Sequence, residues 1–329
     1  MNVRRRLIPT AAVTAVTAIA MGALSACSSD STAAGNTGKF DVVASFYPMA
    51  FLAEQIGGDH VNVTSLTQPG QEPHDLEISA KQTVQLEKTD AALYLKGLQP
   101  SVDEAIGQSG VKTKIDAATL TTLETPGAED AHGHGDEGHA HEAEGGHEGH
   151  SHETLGGKDP HVWLDPVKYA EVAEGVGKAF EKADPDHAAD YRKNTETLVG
   201  RLNALDTTFE TGLKGRKTDV FITTHASFGY FAERYGLTEE AINGLDPESE
   251  PSAARVKELA ETAKADGVTT IFYETLVSDD TAKTVAGDAG LRTDVLDPLE
   301  GITDTSRGDN YFEVMESNLK ALQTALGTA

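Results

Sequence analysis

The sequence has little cysteine and little positive charge, and each shortage excludes a class of function. Its 329 residues include a single cysteine, Cys27, so no disulfide can form within the chain and no second thiolate is available for metal binding. Lysine and arginine number 27 against 53 acidic residues, which gives a formal net charge of −26. Nucleic acid, itself a polyanion, would be repelled by this charge, whereas cations would be attracted.

Sequence motifs of the common catalytic sites are missing as well. The chain has no HExxH helix, no G-x-S-x-G elbow and no glycine-rich dinucleotide loop. A zinc hydrolase stays open as an alternative, because three histidines can also hold a catalytic zinc ion. Such an enzyme needs an open coordination position and usually a general base beside it. Because the common catalytic motifs are missing, we expect a binding protein and not an enzyme.

The first 39 residues are typical of an exported lipoprotein. Three arginines at positions 4–6 precede an apolar run over residues 7–24. The run ends at the first residue of Leu-Ser-Ala, which lies directly before Cys27. We expect residues 1–26 to be a lipoprotein signal peptide and Cys27 to carry the lipid. A transmembrane anchor is the alternative, although threonines interrupt the apolar run. Residues 27–39, rich in Ser, Thr, Ala and Gly, predict a flexible tether. The protein would then be lipid-anchored at the outer face of a bacterial cell membrane.

The remaining chain alternates short β-branched runs with helical patterns. This order predicts an α/β fold, because parallel neighbouring strands need helical crossovers. We expect an N-terminal lobe over 40–165, a helical connector over 166–213 and a C-terminal lobe over 214–329. The connector contains apolar residues at helical spacing, namely Tyr191, Leu198, Leu202, Leu205 and Phe209. The predicted architecture is two parallel-sheet lobes joined by one long rigid helix, with a metal ion in the cleft between the lobes.

A histidine-rich acidic stretch interrupts the first lobe at residues 125–157. It has no aliphatic residue larger than alanine before Leu155, so it cannot bury a core, and we expect a mobile surface loop. One interpretation is a secondary, weak metal-binding loop, and the other is a solvated insertion without a specific role. Its histidines are His132, His134, His139, His141, His147, His150 and His152.

Two further histidines and two acidic residues lie where predicted strands end. His74 follows a strand over 61–66, His225 follows a strand over 219–223, and Asp297 and Glu300 follow the last strand. His161 lies between two Asp-Pro turns. Ligands of open parallel sheets bind beyond the carboxyl ends of the strands. Three imidazoles and one carboxylate form a tetrahedral set that suits Zn²⁺, whereas Mn²⁺ prefers more oxygen ligands.

Most single histidines are hydrogen-bonded surface or core residues and bind no metal. His60, at the start of a strand, and His187, on a solvated helix, are expected to be of this ordinary kind. The coincidence of three histidines, each on a loop and drawn from both lobes, distinguishes the predicted site from these two.

Five segments in order resemble those of the zinc-binding lipoproteins of ABC importers, the ZnuA and AdcA branch of the TroA-like (cluster A-I) binding proteins. The resemblance covers residues 40–326 and implies that His74, His161 and His225 hold Zn²⁺. Glu300 is the expected fourth ligand because Leu-Glu-Gly is typical of the AdcA branch, with Asp297 or water as the alternatives. The segments are SFYP at 45–48, QEPHD at 71–75, DPHVWLDP at 159–166, THASFGYF at 224–231 and LDPLEG at 296–301.

The resemblance also implies a function and partners. Zn²⁺ would be captured outside the cytoplasm as a transported ligand, and the protein, as a monomer, would deliver it to an ABC permease and its ATPase. The histidine-rich loop is similar to that of many zinc-specific members. Two alternatives remain open, namely a manganese- or iron-binding paralogue and a zinc-buffering or adhesin lipoprotein.

Overall fold

The computed structural model describes residues 38–124 and 158–328. The predicted signal peptide, Cys27 and nearly all of the predicted tether lie outside these residues. The seven histidines of the 125–157 stretch lie outside them too, so its predicted mobility and metal binding stay predictions. Within the described ranges, no helix is both long enough and apolar enough to cross a membrane.

The first sheet has four parallel strands in the order β2-β1-β3-β4, with helices between successive strands. Local sequence explains where these helices begin. Ser79 and Gln82 form a reciprocal capping box at the start of the second helix. Pro48 and Pro100 occupy the first turns of the other two. The elements are β1 (Phe40–Ala44), α1 (Tyr47–Gly57), β2 (Val61–Ser65), α2 (Ala80–Leu86), β3 (Ala91–Tyr94), α3 (Pro100–Gln108) and β4 (Thr113–Asp116).

The second sheet repeats this topology, with four parallel strands in the order β6-β5-β7-β8. The predicted class, two parallel α/β sheets, is therefore confirmed. Glycines in the left-handed conformation end four of the helices of this half. The elements are β5 (Val220–Thr223), α6 (Gly229–Tyr235), β6 (Thr238–Ala241), α7 (Ala253–Asp266), β7 (Thr270–Tyr273), α8 (Asp280–Ala289), β8 (Arg292–Val295) and α9 (Tyr311–Leu326).

Two helices, α4 (Pro166–Ala183) and α5 (Ala188–Gly212), connect the sheets in sequence. α5 has 25 residues, which corresponds to about 37 Å at the usual helical rise. It packs against α4 and α1 on one side and reaches α9. The apolar positions that predicted this helix are buried along its length: Tyr191, Leu198, Leu202, Leu205 and Phe209.

The largest apolar cluster runs without a break from the first sheet through α4 and α5 to α6 and α9. Trp163, the only tryptophan, is completely buried in it and meets Phe46 edge to face at 5.0 Å between ring centroids. Smaller apolar clusters fill the other faces of the two sheets. The largest cluster contains residues of all three predicted segments, 40–165, 166–213 and 214–329. The division of the chain into these segments stays a prediction.

Candidate metal centre

His74 lies in the loop between β2 and α2, in a turn formed by a neighbouring carboxylate. Glu72 accepts hydrogen bonds from the backbone N–H groups of His74 (3.1 Å) and Asp75 (3.2 Å). Burial is the main reason why the pKa of Glu72 is raised to about 7. The turn directs the imidazole of His74 inward, where Nε2 lies 3.3 Å from Oε1 of Glu300. His74 is only 5% exposed.

His161 is oriented by Asp159, two residues earlier in the chain. Oδ1 of Asp159 accepts a hydrogen bond from the backbone N–H of His161 (2.8 Å) and lies 2.7 Å from its Nδ1. Because a carboxylate accepts from Nδ1, the proton of the neutral imidazole lies on that atom and Nε2 keeps its lone pair. Nε2 lies 3.3 Å from Oε1 of Glu300.

The segment carrying His161 is attached to elements of the second sheet. Trp163 donates from Nε1 to the carbonyl oxygen of Pro298 (2.7 Å), and Tyr230 donates its hydroxyl to the carbonyl oxygen of Asp159 (2.8 Å). Asp165 caps α4 and accepts two 2.8 Å hydrogen bonds from Arg234 of α6. These bonds fix the position of His161 relative to the second sheet.

His225 follows the end of β5, as predicted, and pairs with a carboxylate at the end of the neighbouring strand β7. Oε1 of Glu274 lies 2.8 Å from Nδ1 of His225 and also accepts from the hydroxyl of Thr224 (3.0 Å). The proton of this imidazole is therefore on Nδ1 as well, and Nε2 lies 3.4 Å from Oε1 of Glu300. His225 and Glu274 are 1% and 3% exposed, so little water competes with their hydrogen bond.

Glu300 brings the three imidazoles together. It is fully buried, and its Oε1 is 3.3–3.4 Å from the Nε2 atoms of His74, His161 and His225. Nε2 of His161, Nε2 of His225 and Oε2 of Glu300 have no hydrogen-bond partner in the described structure. Buried polar atoms are rarely left in this condition, which points to a bound cation as the missing partner.

Three of the distances between the ligand atoms fit a tetrahedral metal ion. Bonds of about 2.0–2.1 Å to Zn²⁺ place the ligand atoms of a tetrahedron about 3.3–3.4 Å apart. The three Nε2–Oε1 distances have this length. The four ligand atoms all lie within 4.8 Å of one another, and this is the one such group within residues 38–124 and 158–328.

The charges of the cluster depend on one another. Although burial by itself raises the pKa of Glu300, the charge of His74 and the three imidazole contacts hold it well below its usual range. Burial by itself lowers the pKa of His161, but the carboxylates of Asp159 and Glu300 outweigh it and raise the pKa to about 9. Burial also lowers the pKa of His225, but the carboxylates of Glu274 and Glu300 outweigh it and raise this pKa well above its usual range. A metal ion must displace any proton on Nε2 before it can bind.

The other residues considered in the sequence lie elsewhere. Asp297, the alternative fourth ligand, is not in the group: it accepts from the Thr275 hydroxyl (3.1 Å) and the Leu299 N–H (2.8 Å). Burial raises the pKa of Asp297 to about 6. His60 and His187 are ordinary hydrogen-bonded histidines, as expected, with their rings stacked at 4.1 Å beside Asp190 and Asp184.

Sequence reasoning did not identify Asp159 and Glu274 as the partners of the histidines. Glu274 could have been found by the rule that located His225, since it follows β7 directly at the same edge of the sheet. Asp159 was within the DPHVWLDP segment, but the sequence does not show that its carboxylate turns back onto His161.

A model of one protein family matches almost the whole described chain. The family is ZnuA, zinc-uptake complex component A, periplasmic, and the match covers residues 42–325. The chain belongs to the ZnuA family. This confirms the resemblance on which the ligand prediction depended.

Individual ZnuA-family relatives agree. The chain is 38% identical over 309 residues to the zinc-binding lipoprotein AdcA of Streptococcus pneumoniae, covering 91% of this chain but 58% of AdcA. It therefore spans little more than half of that relative. It is 34% identical to the high-affinity zinc uptake system protein ZnuA of Bacillus subtilis, covering 92% and 93% of the two chains. The crystal structure of the Zn(II)-bound ZnuA-like domain of AdcA superposes with a TM-score of 0.69, at 34% identity, over 88% of this chain and 99% of that one.

Proposed function

We propose that this protein captures Zn²⁺ outside the cytoplasm and delivers it to the permease and ATPase of an ABC transporter. The ligands would be Nε2 of His74, His161 and His225 and a carboxylate oxygen of Glu300. The observation that carries the proposal is the set of three 3.3–3.4 Å distances from Glu300 Oε1 to imidazole nitrogens that have the spacing of a zinc tetrahedron. The names of the AdcA and ZnuA relatives, which refer to zinc binding and zinc uptake, support it.

The donor set favours zinc over manganese or iron. Three nitrogens and one oxygen form a small, closed site, whereas Mn²⁺ prefers an octahedral shell rich in oxygen. With Zn²⁺ bound, the ion and the Glu300 carboxylate together carry one positive charge, and the carboxylates of Asp159 and Glu274 are close enough to offset it. These second carboxylates also increase the basicity of the two imidazoles and so strengthen their bonds to zinc.

The burial of the ligands favours transport over catalysis. His161, His225 and Glu300 are at most 1% exposed, and four protein ligands would fill a tetrahedral shell. A catalytic zinc ion keeps one position open for water or substrate. Exchange of the ion with solvent therefore requires a rearrangement of the protein, and a permease that stabilises the rearranged state would promote release. We also propose lipid anchoring through Cys27 and a monomeric state.

Zinc binding and zinc uptake can be tested separately. The metal-free protein should bind one tight Zn²⁺ in chelator competition and discriminate against Mn²⁺. His161→Ala should weaken this binding by orders of magnitude, because it removes one ligand and leaves its partners Asp159 and Glu300 unmatched in the core. His60→Ala, which removes a histidine hydrogen-bonded at the surface, is the matched control and should leave binding unchanged.

The uptake test uses cells that lack the protein and grow under zinc limitation. The intact protein should restore accumulation of labelled zinc, and the His161→Ala variant should not. Tight zinc binding without any effect on uptake would favour the alternative of a zinc buffer or adhesin. Equal zinc affinity of His161→Ala and the intact protein would show that the site is wrong.

A further inference from the structure

Leu299, the residue immediately before Glu300, has an unusual backbone. Its φ is 59°, and it is the one non-glycine residue with a positive φ within residues 38–124 and 158–328. A side chain in this left-handed region meets the backbone closely, so residues other than glycine, asparagine and aspartate seldom adopt it. The Leu299 side chain is fully buried. Strained backbone of this kind persists only where the surroundings enforce it.

Asp297 supplies the contact that enforces this conformation. Its Oδ1 accepts a hydrogen bond from the Leu299 N–H at 2.8 Å, and its Oδ2 accepts from the Thr275 hydroxyl at 3.1 Å. The carboxylate thus bridges the loop after β8 to the residue two positions beyond β7. Such a bond from a side-chain oxygen to the N–H two residues ahead closes an Asx turn.

Asp297 is itself held firmly. Its backbone N–H donates to Oδ1 of Asn318 (3.0 Å), and its carbonyl oxygen accepts from Nδ2 of the same side chain (2.7 Å). The next carbonyl, that of Pro298, accepts from Trp163 at 2.7 Å. Every residue from Asp297 to Leu299 therefore has a fixed backbone contact, and the chain reaches Glu300 from a defined direction.

We propose that Asp297 is a positioning residue for the metal centre: its hydrogen bond to Leu299 holds the left-handed turn that aims Glu300 at the three imidazoles. This inference rests on the proposed zinc site and gives Asp297 a task other than ligation. Without the carboxylate, Leu299 relaxes to a negative φ. The Glu300 side chain then leaves its position 3.3–3.4 Å from the histidine nitrogens.

Zinc affinity, measured by chelator competition, tests the inference in a set of variants. Asp297→Ala should weaken binding on the order of tenfold or more, comparable to loss of an outer partner of a metal ligand. Asp297→Asn keeps an oxygen that accepts from Leu299 and should bind nearly as the intact protein does. Adding Leu299→Gly to Asp297→Ala should restore most of the affinity, because glycine adopts a positive φ without strain.

Leu299→Ala in the same background is the matched control. It removes the same buried side chain atoms beyond Cβ but keeps the strain, so it should not restore affinity. Recovery by alanine equal to that by glycine, or undiminished binding by Asp297→Ala, would overturn the inference. Failure of the intact protein to bind zinc tightly would instead overturn the proposed function.

Asp297→Ala could fail to fold, so a milder variant completes the test. Thr275→Val removes the hydrogen bond from the Thr275 hydroxyl to the Asp297 carboxylate while keeping the side chain volume. It should weaken zinc binding several-fold in the intact background and have no further effect once Leu299 is replaced by glycine. Equal effects in both backgrounds would contradict the positioning role.

Discussion

Glu239, on β6, has a raised pKa and should therefore take up a proton close to neutral pH. The hydroxyl of Thr223 lies 2.9 Å from the carbonyl oxygen of His225 and 2.8 Å from Oε1 of Glu239. A hydroxyl has one proton to donate, and the carbonyl oxygen can only accept. The Thr223 hydroxyl therefore shares its proton between two acceptors, the carbonyl oxygen of His225 and Oε1 of Glu239. The other oxygen of Glu239 accepts from the N–H of Phe228 at 3.0 Å.

The hydrogen bonds to Glu239 favour its ionised form, whereas burial favours the protonated form. Burial, opposed by the hydrogen bonds with Thr223 and Phe228, raises the pKa of Glu239 from 4.5 to about 7. A change of this size corresponds to about 3 kcal/mol for a fully shielded group, and the partial exposure of the side chain reduces our expectation to about 1–2 kcal/mol. Because the folded-state pKa is the higher one, this stabilisation is complete below about pH 4.5 and is lost as the pH rises to about 7.

Glu239→Gln reproduces the protonated acid and removes the titration. The amide donates from Nε2 to Thr223 and accepts at its oxygen from Phe228, so the hydrogen bonds are kept. We expect the free energy of unfolding of the variant, relative to the intact protein, to rise by about 1–2 kcal/mol between pH 4.5 and pH 8. Urea denaturation of the metal-free proteins measures this difference.

Exposed Glu248→Gln is the control for removal of one carboxylate from an acidic protein. A difference between Glu239→Gln and the intact protein that is independent of pH would refute the raised pKa of Glu239. So would a lower stability of the Glu239→Gln variant than of the intact chain at pH 8, because that would show an ionised Glu239 to be preferred.

Three further predictions concern the partners of the ligands and the undescribed segments. Asp159→Ala should weaken zinc binding about 10- to 100-fold in chelator competition. Gly229→Ala should also weaken zinc binding, because the added Cβ would lie 2.8 Å from Oδ2 of Asp159. Unchanged zinc affinity in both variants would contradict the role of Asp159 as the partner of His161. Deletion of residues 130–153 should abolish weak additional zinc sites in calorimetry and spare the tight one, whereas loss of the tight site would place it in the loop. Cys27→Ala should move the protein out of the membrane fraction, and continued retention would contradict lipidation.

The order of the elements was predictable because hydrophobic periodicity changes each time a strand gives way to a helix. Their ends were less predictable. The apolar pattern of β1 continues to Phe46, but the strand ends at Ala44, since Phe46 already serves as the N-cap of α1. Strand ends depend on which neighbours complete the hydrogen-bond ladder, and this information is not local in sequence.

The candidate ligands were predictable for a different reason. His74 and His225 follow strands, and the carboxyl ends of parallel strands meet at one edge of a sheet. The same rule places Glu274 at this edge, but its contact with His225 was not predictable, because it depends on the pairing of β5 with β7. The left-handed Leu299 was also invisible, since leucine has no preference for that conformation and only the Asp297 contact explains it.

A crystal structure of the zinc-loaded protein, with anomalous data collected on both sides of the zinc absorption edge, tests the metal centre most directly. We predict one strong zinc peak bonded at about 2.0–2.1 Å to Nε2 of His74, His161 and His225 and to an oxygen of Glu300. A zinc ion bonded through Nδ1, or one held by other residues while these four stay apart from it, would contradict the account.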